Sequence, residues 1–169
     1  FDASTVGALY GQASDDHSRW LGLWSKMDLA HVFGFPLWEE EVFKLLQAAF
    51  GELTSIYDYY AGSKPGSGGQ SDETMQQSEL VDFALDVGLV TEEFPLGRVL
   101  AIFDQINERD ARHDRDLELH EFLNLLVVVA FHRANPRFGE QPTPKAKPLV
   151  EVPRSLKQLL SAQVLRTES

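Results

Sequence analysis

The sequence contains no cysteine among its 169 residues. Disulfides, thiolate nucleophiles and cysteine-ligated zinc are therefore excluded. Positive charge is scarce: 15 Lys and Arg stand against 26 Asp and Glu, a formal charge of −11. Such a surface does not neutralise phosphates, so no nucleic-acid partner is expected. Long hydrophobic runs are missing too. The longest, Leu125 to Phe131, falls far short of the roughly 20 residues a membrane helix needs. No membrane partner is expected. No secretory signal pattern opens the chain, and the expected location is cytoplasmic. No phosphate-binding glycine motif, no G-x-S-x-G and no paired-carboxylate context stands out, so an enzyme is not expected.

The composition itself, 43% hydrophobic and 24% charged, is that of a folded protein. The length suits one domain with terminal extensions. Apolar periodicity predicts an all-α chain. Trp20, Leu23, Trp24 and Met27 mark one helix face, and the Gly34-Phe35-Pro36 stretch ends it. Pro36 suits the first turn of a long helix over about 37–60, with Glu39, Glu40 and Glu41 at its positive end. Residues 61–74, AGSKPGSGGQSDET, form a loop with four glycines. Leu80, Phe83, Ala84 and Val87 define the next helix, stopped by Gly88. Pro95 opens another, with Leu96, Val99, Leu100, Phe103 and Ile106 on its stripe. A helix from near Leu117 carries Phe122 to Phe131 and is apolar all round in its later turns. Residues 133–153 hold five of the eight prolines, an extended connector. The spacing of Ser155 and Gln158 predicts a capping box opening a last helix, with Leu156, Leu159, Leu160 and Val164 as its stripe.

Two segments repeat one pattern. Met75, three intervening residues, Glu79, then Leu80 matches Leu117, three intervening residues, Glu121, then Phe122. Each follows a polar loop and an amphipathic helix. This plan resembles the EF-hand superfamily, here as a degenerate pair over 37–132. The resemblance implies that Met75 and Leu117 pair as short strands between the loops. It also implies that each glutamate ends a twelve-residue loop. In the second loop, 110–121, Asp110, Asp114, Asp116 and Glu121 become candidate calcium ligands, with Glu118 at a further plausible position. Arg112 stands where a ligand is expected and Arg115 where the turn glycine belongs. Phe103-Asp104 looks like the end of the entering helix, which would leave the loop about six residues too long. The first loop, 68–79, retains only Asp72 and Glu79. No cofactor is expected unless the second loop takes calcium.

Other chemistry is weaker. His120-Glu121 opens like a zinc-protease helix, but Asn124 replaces the second histidine. His113 and His120 near Asp110, Asp114 and Asp116 form a weak transition-metal pattern. His31 and His132 read as partly buried or capping histidines. Trp20, Trp24, Trp38, Phe43, Phe50, Tyr57 and Tyr60 read as core. Residues 141–147, QPTPKAK, form a mild basic patch suited to an acidic partner such as tubulin.

The expected organisation is an N-terminal helical extension (1–36), the EF-hand-like pair (37–132), the proline-rich connector (133–153) and an amphipathic C-terminal helix (154–169). That helix is expected to fill the pair's own apolar groove, the alternative being a tether that reaches a neighbouring chain. The chain is similar to divergent calcium-free EF-hand modules of protist and ciliary cytoskeletal proteins. The function this implies is a non-enzymatic structural or adaptor module that binds other proteins of a larger assembly. By the same resemblance the location is the cytoskeleton, with the ciliary axoneme and microtubule-associated partners in view. The alternative is a calcium-sensing domain with a working loop at 110–121.

Overall fold

The computed structural model describes residues 15–61, 74–109, 115–141, 143–145 and 147–165. The chain is mostly helical. In order come α1 (Asp15–Lys26), α2 (Glu39–Tyr60), β1 (Met75–Gln76), α3 (Gln77–Asp86), α4 (Leu96–Arg109), β2 (Asp116–Leu117), α5 (Leu119–Ala134) and α6 (Val152–Leu159). A π-helical turn, Leu160–Val164, extends α6. No helix among the described residues is long and apolar enough to cross a membrane.

Two units each run helix, strand and helix, α2–β1–α3 and α4–β2–α5. They join through an antiparallel ladder in which Met75 faces Leu117 and Gln76 faces Asp116. That register is the one the repeat alignment requires. Both apolar members are fully buried, and beneath them lie the phenyl rings that the alignment places together. Phe83 and Phe122 meet edge to face at 5.2 Å, and Phe103, Leu46 and Leu126 are fully buried with them.

Helix α5 is the centre of the molecule. All its residues from Leu119 to Phe131, except His120, are buried. It is packed by α1, α2, α4 and α6. Covering it on several sides is what an all-round apolar helix demands. It also explains why Val127-Val128-Val129, which alone suits a strand, stays helical: burial outweighs the small propensity cost of β-branching. Trp20 carries α1 into the same core, 1% exposed. Its ring lies 5.3 Å from Phe43 and 5.4 Å from Phe50.

Two helix starts differ from the sequence reading. Helix α2 begins at Glu39, with Trp38 at its N-cap. Pro36 lies in the preceding turn, and its peptide bond is cis. The turn is held by Trp38, whose Nε1 donates to the Phe33 carbonyl at 2.8 Å. Gly34 adopts φ 86° there, and a Cβ would meet Trp38 Nε1 at 2.9 Å, so no larger residue fits. Helix α6 begins at Val152, so the expected capping box at Ser155 does not form. Glu151 is the N-cap and Pro153 lies in the first turn, where its missing N–H has no helical partner to lose. The Ser155 hydroxyl donates to Val152 O at 2.9 Å inside the helix.

Candidate functional site

The two strand ends lead directly into helices, and each uses the repeat's glutamate in the same way. Glu79 Oε1 accepts the Gln76 N–H at 2.9 Å, and the Gln76 side chain accepts the backbone N–H of Glu79. Glu121 Oε1 accepts the Glu118 N–H at 2.9 Å, and the Glu118 side chain accepts the backbone N–H of Glu121. These are reciprocal capping boxes with Gln or Glu at the N-cap. A carboxylate placed in the first turn also meets the positive end of the helix dipole. Both glutamates are nearly fully buried, and capping is what makes that burial tolerable.

Of the four candidate calcium ligands, Asp110 and Asp114 lie outside the described residues, as do Arg112 and His113. Asp116 sits in β2, where one carboxylate oxygen accepts a hydrogen bond from the Thr74 hydroxyl. Glu121 caps α5. Asp116 does not join the described groups that converge, which are Glu118, His120 and Glu121, with candidate donor atoms within 4.8 Å of one another. Arg115 turns outward and pairs with Asp104 at 3.4 Å, both exposed. Helix α4 runs on to Arg109, so Asp104 is not its end. The segment from the end of α4 to Glu121 therefore has the length of one EF-hand loop, and the expected six-residue excess is absent.

A cavity of about 200 Å³ opens beside the converging groups. Lys26, Asp28, His31, Ile106, Arg109, His120, Glu121 and Asn124 line it. Asp28 organises one wall: Arg109 Nη1 reaches its Oδ2 at 3.2 Å, and His31 Nδ1 lies 3.9 Å from its Oδ1. Loss of hydration and then the Arg109 charge hold the His31 imidazole below its ordinary pKa, against the opposing pull of Asp28. On the other wall Asn124 is 94% buried by its 6% exposure. Its Oδ1 has no hydrogen-bond partner among the described residues. Sequence reasoning used Asn124 only to reject a protease motif. No periodicity marks a polar residue on an otherwise apolar helix as facing a cavity.

The second feature is the docked C-terminal helix. Helix α6 packs against α5 and α2. Val152, Leu156, Leu159, Leu160 and Val164 are each buried, worth about 1.5–3 kcal/mol of apolar transfer apiece. Asn135 clips the incoming chain. Its Nδ2 donates to Phe131 O at 2.9 Å and Val150 O at 2.8 Å. Its Oδ1 accepts the Val150 N–H at 2.7 Å.

An aromatic surface remains outside. Phe33 stacks on Phe131 at 5.8 Å and meets Phe138 at 5.3 Å. Phe33 is 51% and Phe138 37% exposed, and Leu37 is almost wholly exposed. His132 joins the cluster 5.9 Å from Phe138. Burial, then the Arg98 charge, hold its imidazole below the ordinary value. No family model matches the chain, and no curated protein and no solved structure matches it either.

Proposed function

We propose that the chain is a degenerate EF-hand-like pair that serves as a non-enzymatic structural or adaptor module of a larger assembly. The observation that carries this reading is the docked α6. The apolar face that a calcium sensor opens toward target helices is here covered by the chain's own Leu156, Leu159, Leu160 and Val164. The capping role of Glu79 and Glu121 supports it: both helices find their first-turn partner without an ion. The exposed Phe33, Leu37 and Phe138 supply apolar surface for a partner protein. By resemblance the assembly is cytoskeletal, with the axoneme as its setting and microtubules as a candidate partner.

The test is co-sedimentation of the full chain with polymerised tubulin, beside gel filtration of the native protein from its source. The proposal expects a large complex that survives calcium chelation. A protein that runs as a monomer and sediments with nothing counts against it. The calcium-sensor reading keeps one specific support, the loop of standard length left between Arg109 and Glu121. Calorimetric titration with calcium separates the two.

A further inference from the structure

We propose that the cavity between α1, α4 and α5 is a binding site for a small free amino acid in its zwitterionic form, held between Lys26 at the mouth and Asn124 within. The inference goes beyond the adaptor reading and does not depend on it.

Asn124 is the residue that calls for a ligand. It lines the cavity and is only 6% exposed, yet its Oδ1 has no hydrogen-bond partner among the described residues. Its neighbours on α5, Leu123 and Leu125, are fully buried, so an apolar residue would suit the helix at this position. A buried amide left unpaired lowers stability where a leucine would not. A partner that enters from the cavity accounts for the polar group. Oδ1 accepts and does not donate, so that partner brings an N–H or an O–H. The terminal torsion of an asparagine is soft, which lets the amide swing to meet it.

The charges around the cavity fix what else the partner carries. Arg109 and Asp28 pair at 3.2 Å and cancel. Burial and the Arg109 charge hold His31 below its ordinary pKa, so it is neutral at pH 7. Lys26 stands exposed in the last turn of α1, with no ion pair among the described residues. The Glu121 carboxylate is engaged in the α5 cap, but its charge still makes the inner wall negative. Neither Glu121 nor His120 is asked for a contact. A cation at the mouth and a carboxylate beside the inner end leave the cavity polarised, with little net charge. An amino acid matches both ends: its carboxylate faces Lys26 and its ammonium donates to Asn124. A simple carboxylate brings Asn124 no hydrogen, and a simple amine leaves Lys26 unpaired.

Size narrows the class. The volume of about 200 Å³ is that of about seven liquid waters at roughly 30 Å³ each. It lies below the roughly 300–1,000 Å³ of sites for drug-sized ligands. Glycine, alanine and serine fit that space, with Ile106 as the apolar wall for a short side chain.

The test uses the full chain and glycine, L-alanine, L-serine, propionate and ethylamine as probes. Each is titrated by calorimetry, with the side-chain amide resonances of nitrogen-labelled protein followed in parallel. The wild type is expected to take one equivalent of at least one amino acid with a Kd of about 1 mM or below, modest because so few atoms make contact. Propionate and ethylamine, each one half of the zwitterion, are expected to bind at least about tenfold more weakly. Asn124→Leu is expected to keep or raise the apo Tm and to lose at least about tenfold in affinity. Lys26→Gln, at the surface, should keep the Tm and weaken binding severalfold. No binding of any of the three amino acids at up to about 10 mM overturns the proposal and leaves a cavity that holds water. So does undiminished binding by folded Asn124→Leu, and so does propionate binding as tightly as alanine. If Asn124→Leu fails to fold, the wild type decides: an Asn124 amide resonance that does not move with added amino acid overturns the proposal by itself.

Discussion

The Tyr57 hydroxyl donates to the Leu117 carbonyl at 2.7 Å, across sixty positions of sequence. One side chain from α2 thus holds the second strand of the ladder. Burial is the main cause that raises its pKa above the ordinary 10.0, and the phenol stays a neutral donor throughout the physiological range. Removing the hydroxyl leaves a buried carbonyl unpaired. Tyr57→Phe is expected to lose about 1–3 kcal/mol in urea unfolding. A loss too small to measure would mean that water replaces the bond.

Phe122 stands under that ladder, 5.6 Å from Tyr57 and 5.2 Å from Phe83. Phe122→Ala should cost about 3–5 kcal/mol, because the surrounding helices cannot collapse onto the space. A cost under about 1 kcal/mol would contradict the shared core of the two units.

Much of this was legible in the sequence. An apolar residue four positions before a glutamate, repeated, fixed the pairing of Met75 with Leu117, since only that register buries both. The use of the glutamates was not legible. A carboxylate at that position suits a calcium loop and a helix cap equally, and the cap becomes visible only with its partners Gln76 and Glu118 in place. The start of α2 was misread because Pro36 is a good first-turn residue in isolation. The Trp38 bond to Phe33 O is a contact that no local propensity encodes. Asp28, Arg109 and Asn124 meet at the cavity only through tertiary packing of three separate segments.

Stability should fall on mild acidification. His31 and His132 are both held below the ordinary 6.5. Below that value the unfolded chain binds protons that the folded chain resists, so stability is full above pH 6.5 and declines as pH falls through it. Urea midpoints measured between pH 7.5 and 5.5 should drop, and His132→Leu should drop less. An equal drop in both proteins would remove His132 from the account.

Asn135 joins α5 to the chain entering α6 through three hydrogen bonds. Asn135→Ala leaves the Val150 N–H and carbonyl without these partners and should destabilise the protein by about 1–3 kcal/mol. Deleting residues 150–169 should go further: stronger binding of a hydrophobic dye and a Tm lower by at least about 4–8 °C, equivalent to roughly 2 kcal/mol at this size. A truncated protein unchanged in both would show that α6 is a tether and not a plug.

The central claim is that α6 covers the apolar face whether or not calcium is present. Amide hydrogen exchange across residues 152–164 of the full chain, compared in EDTA and in millimolar calcium, tests it most directly. The account predicts the same strong protection in both conditions, set by the burial of Leu156, Leu159, Leu160 and Val164. Calcium-dependent loss of protection in α6, with new exposure of α5, would contradict it and establish a sensor that releases its own helix.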